Sequence, residues 1–328
     1  MTLRTSFAAL GAAAALLASM AQAGPLDKTE CIAPAKPGGG FDLTCKLAQG
    51  ALQEGKFLSD PMRISYMPGG IGAVAYNAVV AQRPAEANTI VAYSGGSLLN
   101  LAQGKFGRYN ENDVRWLAAI GADYGAVIVA ESSPLKSIKD LIAAIKADPG
   151  KVVFGAGGSV GSQDWMKAAL TARAAGLDPK SMRFVAFEGG GEAITALQGG
   201  HVQVYSGDAS EAEEQIKAGA KIRVLAVLAD KRLEGSMGSV PTMKELGFDV
   251  QWPIIRGFYM GPKVSDADFK VWSDTFAKMM ATPQYDKLRA ERGLFKFALT
   301  GKELDVFIKE RMAAYRQLAA DFHLKVAQ

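Results

Sequence analysis

The chain has 328 residues, with 37 lysines and arginines against 33 aspartates and glutamates, and a formal net charge of +4. This near balance, without a basic run interleaved with aromatic residues, lacks the signature of a nucleic-acid-binding protein. Two histidines and two cysteines show no metal-ligand spacing, and no phosphate loop or dinucleotide fingerprint occurs. We therefore expect neither a metal nor a cofactor.

The first 23 residues have the pattern of a secretory signal peptide. Arg4 provides the positive start, residues 8–17 form an apolar run, and Ala21 and Ala23 mark a small-residue cleavage site. The apolar run is far shorter than the roughly 20 residues that a membrane span requires. Cleavage after Ala23 is predicted, and the mature chain is expected to be exported.

Two glycine-rich turns, PGGGFD at residues 37–42 and PGGIGA at residues 68–73, each follow a predicted strand and open a predicted helix. Glycine in such a turn lets backbone N–H groups point into a concavity that also receives the positive end of the helix dipole. One such turn is common for conformational reasons alone. Because two occur in successive strand–helix units, they predict a cradle for a small anion.

The strand–turn–helix unit recurs along most of the chain, which predicts an α/β fold with ligands at the carboxyl ends of parallel strands. Strands are predicted at residues 30–33, 62–66, 88–93, 116–130 (a long extended stretch), 151–154, 183–186, 202–205, 222–228 and 258–261. Helices are predicted at residues 43–52, 74–80, 138–147, 162–175, 192–198, from 208 to 217, and at 241–246, 266–280, 283–293 and 302–320.

These elements fall into two similar groups joined by two extended crossings, which indicates a hinged, two-lobed binding protein. The first lobe would comprise residues 24–124 and 248–328, and the second lobe residues 125–247. A single continuous sheet is the alternative. Cys31 and Cys45 either form a disulfide, which an exported protein permits, or remain two buried thiols.

Five segments, at residues 33–42, 67–72, 154–159, 187–193 and 240–247, resemble in order the substrate-binding receptors of tripartite tricarboxylate transporters, also called Bug-type receptors. The resemblance implies a periplasmic, two-lobed receptor of the type II (Venus flytrap) binding-protein fold, with two hinge crossings. Such a receptor is monomeric, closes on a small carboxylate and delivers it to integral-membrane permease subunits.

The resemblance also implies which residues bind the ligand. The two glycine turns would grip one carboxylate through backbone N–H groups and bridging water, at Gly38, Gly39, Gly40, Phe41, Asp42, Gly69, Gly70, Ile71, Gly72 and Ala73. The specificity positions on the second lobe would be Ser159, Ser162, Gly190 and Asp208. Ser94 and Arg256 are further ligand-binding candidates. The cysteine pair and residues 252–261 look closest to the tricarboxylate branch of the family, which makes citrate the expected ligand.

Several of these side chains have a second interpretation. Asp42 at a helix start is expected to cap the helix rather than face an anion. Arg256 would bind a ligand carboxylate or form a surface or inter-lobe salt bridge. Ser159 and Ser162 would donate to ligand oxygens or cap a helix.

One enzyme motif is present, because GGSVG at residues 157–161 matches the G-x-S-x-G elbow of serine hydrolases. A triad would need His323 together with Asp208 or Asp230. The oxyanion-loop pattern is missing, and glycine-rich turns also follow strands after which a hydrolase would not have them. The sequence therefore predicts a receptor and not an enzyme. A scaffold protein without a ligand is the third alternative.

Overall fold

The computed structural model describes residues 24–327, so the predicted signal peptide lies outside the described residues. Its strands are β1 Glu30–Ala33, β2 Arg63–Tyr66, β3 Thr89–Ser94, β4 Arg115–Ala130, β5 Val153–Gly157, β6 Arg183–Phe187, β7 Val204–Asp208, β8 Ile222–Leu228, β9 Pro253–Met260 and β10 Leu299–Thr300. Its α-helices are α1 Gly40–Glu54, α2 Ala73–Ala81, α3 Gly95–Ala102, α4 Ile138–Ala147, α5 Gln163–Ala174, α6 Gly190–Gln198, α7 Ala209–Lys217, α8 Asp266–Met280, α9 Pro283–Glu291 and α10 Gly301–Asp321.

The strands form two α/β lobes that share the long strand β4. In the first lobe, β1 lies between β2 and β3 in parallel, and β9 runs antiparallel to both β3 and the first part of β4. In the second lobe, β6, β5 and β7 are parallel, and β7 and β8 pair antiparallel with the last part of β4. Because β4 belongs to both lobes, the hydrogen-bonded path is continuous although the architecture is two-lobed.

The exchange of partners along β4 defines the hinge. β4 pairs with β9 as far as Tyr124 and with β7 and β8 from Gly125 onward. The return crossing meets the same point, because Trp252 donates its N–H to Leu228 O (2.8 Å) and accepts from Gly125 N (2.9 Å). Two extended segments therefore connect the lobes side by side, as predicted.

Buried apolar side chains make a core on each face of the sheets. Every residue of β1 and β3 is buried, while β2 and β6 at the sheet edges are partly exposed. The C-terminal helix α10 packs against α3 and β4, and its Tyr315 ring stacks on Trp252 at 6.5 Å between centroids. The helix therefore braces the hinge region.

Cys31 in β1 and Cys45 in α1 are joined by a disulfide, with Sγ atoms 1.97 Å apart and Cα atoms 5.8 Å apart. Both residues are fully buried. The bridge spans 14 residues and ties the first strand to the first helix across the PGGGFD turn.

Most predicted elements are confirmed to within a few residues, but one helix prediction is wrong. Residues 241–246 form no helix, because the backbone runs beside β8 before a single turn. Val227 N donates to Pro241 O (3.0 Å), and Met243 N donates to Val227 O (3.0 Å). Those peptide groups are thereby unavailable to a helix. None of the helices in residues 24–327 combines the length and the apolar character that crossing a bilayer would take.

Candidate functional site

The amino ends of five helices, α1, α3, α5, α6 and α7, meet at one cavity between the lobes. The cavity is small, at about 40 Å³, and the lobes are closed on one another, because Gln215 Nε2 of the second lobe donates to Gly38 O of the first lobe at 2.9 Å. Helix amino ends carry unpaired N–H groups and a partial positive charge. The lining residues are Ala35, Gly39, Gly40, Phe41, Ile71, Ser94, Gly96, Gly157, Gln163, Asp164, Gly189, Gly190, Asp208, Glu211 and Arg256.

The first glycine turn delivers the amino end of α1 to the cavity. Gly38 has φ +89°, a left-handed conformation that favours glycine. Asp42 turns away from the cavity: it accepts hydrogen bonds from Gly38 N (2.8 Å), Lys46 Nζ (2.9 Å) and the Tyr66 hydroxyl (2.9 Å). Through these contacts Asp42 stabilises the conformation of the first glycine turn.

The second turn is conformationally strained. Gly69, Gly70 and Gly72 all have positive φ, which glycine tolerates. Ile71 between them also lies in the left-handed region, at φ 48° and ψ 57°, where a β-branched residue is an outlier. A conformation of this kind costs on the order of 1–3 kcal/mol and clusters at ligand-binding sites. Ile71 is also the residue of this turn that lines the cavity.

Strand register brings Arg256 to the hinge side of the cavity. In β9 it lies opposite Ser94 of β3 and Gly121 of β4. Its Nη2 is 2.6 Å from Asp123 Oδ2 and 2.7 Å from Asp208 Oδ2, and its side chain is 1% exposed. Arg256 thus forms a buried salt bridge between the lobes, because Asp208 ends β7 of the second lobe.

A second buried cation stands behind the cavity. Lys167 of α5 is fully buried, with Nζ 2.7 Å from Asp164 Oδ1, 2.5 Å from Asp208 Oδ1 and 2.7 Å from Gly207 O. Burial alone would lower the lysine pKa, but the carboxylates of Asp164 and Asp208 raise it above its ordinary value. Burial also opposes ionisation of Asp208, yet Lys167 and Arg256 hold the pKa of its carboxyl below the usual range.

Glu211, in the first turn of α7, reaches across to the first lobe. Its Oε1 accepts the backbone N–H of Gly40, and its Oε2 accepts the Tyr205 hydroxyl at 2.7 Å. Burial, followed by the nearby charges of Asp208 and Asp164, raises the pKa of Glu211 to about 8. A carboxyl group of the protein therefore contacts the amide where the sequence predicts the carboxylate of a ligand.

The structure brings half of the predicted site residues to this cavity. Those that line it are Gly39, Gly40, Phe41, Ile71, Ser94, Gly190, Asp208 and Arg256. Gly70 and Ser159 line a separate open cavity of about 500 Å³ that shares Ile71. Those that line neither cavity are Gly38, Asp42, Gly69, Gly72, Ala73 and Ser162.

Two serines near the site act as helix caps. Ser94 Oγ accepts from Gly96 N (3.2 Å) at the start of α3, and Ser162 Oγ accepts from Trp165 N (3.3 Å) at the start of α5. Ser159 is exposed, and its hydrogen bond within residues 24–327 is the one that its backbone carbonyl accepts from Ser162 N (2.9 Å), so it is not joined to His201 or His323. The residues of the hydrolase motif are therefore not assembled into a triad.

The sequence prediction missed the acidic and amide side chains of the second lobe. Gln163, Asp164 and Glu211 line the cavity. Behind them, Lys167 contacts Asp164, the Tyr205 hydroxyl donates to Glu211, and Asp123 pairs with Arg256. The sequence could have indicated Gln163, Asp164 and Glu211, because each lies in the first turn of a helix that follows a second-lobe strand. In residues 24–327, no group of three or more His, Cys, Asp or Glu side chains is arranged to hold a metal ion.

Two α/β lobes with an inter-lobe cavity at the carboxyl ends of their strands define the periplasmic-binding-protein fold. Residues 48–324 match the family model described as tripartite tricarboxylate transporter family receptor. The chain belongs to this family, whose members are solute-binding receptors and not enzymes. The family resemblance noted in the sequence is thereby confirmed.

Individual relatives are distant in sequence and similar in fold. A protein in the gbd 5′ region of Cupriavidus necator is 25% identical over 98% of this chain and 95% of its own length. Rpa4515 of R. palustris with adipate has a TM-score of 0.80 at 18% identity, covering 92% of this chain and 99% of its own. MatC from Rhodopseudomonas palustris with bound malate has a TM-score of 0.75 at 17% identity, covering 89% and 99%.

Proposed function

We propose that this protein is a periplasmic receptor that captures a small carboxylate and delivers it to the permease of a tripartite transporter. The observation that carries the proposal is the meeting of five helix amino ends, from both lobes, at one cavity. Such ends present N–H groups and positive potential to an anion. Membership of the receptor family supports the proposal, as do the fold relatives that hold adipate and malate.

Ligand capture in this proposal is a closure of the second lobe, residues 125–247, onto the rest of the mature chain. Closure makes contacts that an open form lacks, including the hydrogen bond from Gln215 Nε2 to Gly38 O (2.9 Å). A ligand held by amides of both lobes binds the closed form more tightly and so shifts the equilibrium toward it. The permease would then recognise the closed shape of a receptor that acts as a monomer without a cofactor.

A tricarboxylate such as citrate is the ligand that the sequence suggests. Arg256, the side chain expected to take an extra ligand carboxylate, is engaged by Asp123 and Asp208. This engagement favours an acid with fewer carboxylates than citrate. We therefore propose the broader class, a small carboxylate, and treat citrate as one arm of the test.

Thermal shift and titration calorimetry with citrate, malate, adipate and benzoate test the proposal. A ligand at a hundred times its Kd stabilises the protein by about 2.7 kcal/mol, which a thermal shift detects. Gly40→Ala should abolish the shift, because its Cβ would overlap the Arg256 guanidinium. Gly50→Ala, in the same helix but with only an ordinary contact at 3.9 Å, is the matched control and should bind normally.

Two outcomes would contradict the proposal. If no acid of a broad panel of small acids raised the melting temperature, the proposed receptor function would be wrong. Equal binding by wild type and Gly40→Ala would show that the first glycine turn does not hold the ligand.

A further inference from the structure

The wall that the second lobe contributes to the cavity is acidic. Asp164, Asp208 and Glu211 line it, and each residue is at most 6% exposed. Together with Asp123 behind Arg256, four buried carboxyl groups face only two buried cations, Arg256 and Lys167. A receptor for a polycarboxylate would be expected to have the opposite balance, because uncompensated buried charge is costly.

Neither cation is free to hold a second ligand carboxylate near this wall. Lys167 makes contacts with Asp164, Asp208 and the Gly207 carbonyl, which match its three N–H donors. Arg256 uses Nε and Nη2 for its side-chain hydrogen bonds within residues 24–327. Its remaining nitrogen, Nη1, packs against Gly40 in the first glycine turn. The Nη1 group of Arg256 therefore faces the first glycine turn rather than the carboxyl groups of the second lobe.

Glu211 already supplies a carboxyl group at the first turn. Its Oε1 accepts the Gly40 N–H, and its Oε2 is close enough to Gly190 that a Cβ there would overlap it. The protein therefore provides, from its own chain, an acceptor at the place where a dicarboxylate or tricarboxylate would bring one. Asp164, Asp208 and Glu211 thus add carboxyl acceptors to the second-lobe wall, beside the backbone N–H donors of its helix amino ends.

An independent observation points the same way. The Nε2 of Gln163 faces Asp208, at 3.4 and 3.5 Å from the two carboxylate oxygens, which fixes the orientation of the amide. Its Oε1 is buried and has no hydrogen-bond partner within residues 24–327. This is a further acceptor lining the same cavity, and a buried acceptor without a donor costs free energy until a ligand supplies one.

From these contacts we infer that the ligand is a zwitterion, with a carboxylate on the glycine turns of the first lobe and an ammonium group among Asp164, Asp208, Glu211 and Gln163. This inference rests on the proposed function and narrows its ligand class from small acids to amino acids and similar ammonium-bearing acids. An ammonium group is a compact donor of three hydrogen bonds, which suits a wall of carboxyl and amide oxygens. Glu211 is the specificity-determining residue of this arrangement.

Matched pairs of acids that differ by one amino group test the inference. Aspartate with succinate, glutamate with glutarate, and alanine with propionate are titrated calorimetrically against the mature wild-type protein at pH 7. At least one amino member should bind, and its Kd should be at least tenfold lower than that of its deamino partner. In Glu211→Gln, which retains the shape and an acceptor for the Gly40 N–H, that preference should fall about tenfold or more.

Three variants separate a specificity role from a structural one. Glu214→Gln, in the same helix and outside the cavity, should keep the wild-type preference. Glu211→Asp, which keeps the carboxyl group, should retain more of the preference than Glu211→Gln. The melting temperature of Glu211→Gln without ligand should match or exceed that of wild type, because a buried ionisable group has been removed.

The opposite results would overturn the inference. If Glu211 merely occupies the place of an absent ligand carboxylate, succinate or citrate will bind wild type as tightly as any amino acid, and Glu211→Gln will bind these acids more tightly. Binding of deamino acids alone would overturn the zwitterion and leave the receptor intact. Failure of every acid, with or without an amino group, would instead overturn the proposed function.

Discussion

Replacing Lys167 by methionine tests whether the buried ion cluster has the arrangement described. The substitution keeps the length of the side chain and removes its charge, so Asp164 loses its contact at 2.7 Å and Asp208 its contact at 2.5 Å. Asp208 still pairs with Arg256, but Asp164 keeps only neutral donors such as Gly157 N at 2.9 Å. Removing one partner of a buried ion pair costs about 3–5 kcal/mol.

Unfolding of the ligand-free protein by urea and by heat at pH 7 measures this cost. For a chain of this size a loss of that magnitude lowers the melting temperature by roughly 5–15 °C. Because Asp164 can take up a proton, the loss should shrink as the pH falls toward the range in which free carboxyl groups titrate.

The matched control is Lys270→Met, whose side chain is 74% exposed and pairs with Asp274 along α8. An exposed pair of this kind contributes about 0–1 kcal/mol. A loss below about 1 kcal/mol in Lys167→Met, comparable to that of the control, would refute a fully desolvated cluster at this site.

Three further predictions concern stability. Cys31→Ala with Cys45→Ala, which opens a loop of 14 residues, should lower the free energy of unfolding by about 3 kcal/mol in urea, and an unchanged midpoint would contradict this. The pKa of Glu211 is about 8 in the folded protein against an ordinary 4.5, so the folded state binds this proton more tightly than the unfolded state does. The free energy of unfolding should therefore fall as the pH rises from about 4.5 to about 8, by up to about 1.4 kcal/mol per pH unit. Glu211→Gln should flatten that slope, and an identical pH profile would argue against the shift. Ile71→Gly should raise the free energy of unfolding by up to about 1 kcal/mol because glycine accepts φ 48°, whereas a loss would mean that Ile71 packing outweighs its strain.

Local pattern was sufficient to predict most of the fold. Strands such as β1 and β3 are fully buried, and α1 begins at the glycine turn that follows β1, so hydrophobic period and glycine mark their limits. Helix α3, which follows β3, is absent from the predicted helices. The segment at 241–246 was mispredicted because its backbone bonds to β8, a partner that no local pattern reveals. The two-residue strand β10 was missed for the same reason, since only its pairing with β4 makes it a strand.

The sequence by itself determined most of the strands and helices, the two glycine turns and the membership of a receptor family, because each depends on residues close together in the chain. Only the tertiary structure decided what the polar side chains of the site do. Arg256 meets Asp123 and Asp208 across separations of 133 and 48 residues, and Glu211 meets Gly40 across 171. Whether a buried charge is a ligand group or a partner for another charge depends on which groups closure of the lobes brings within hydrogen-bonding distance, and sequence spacing carries no record of that distance.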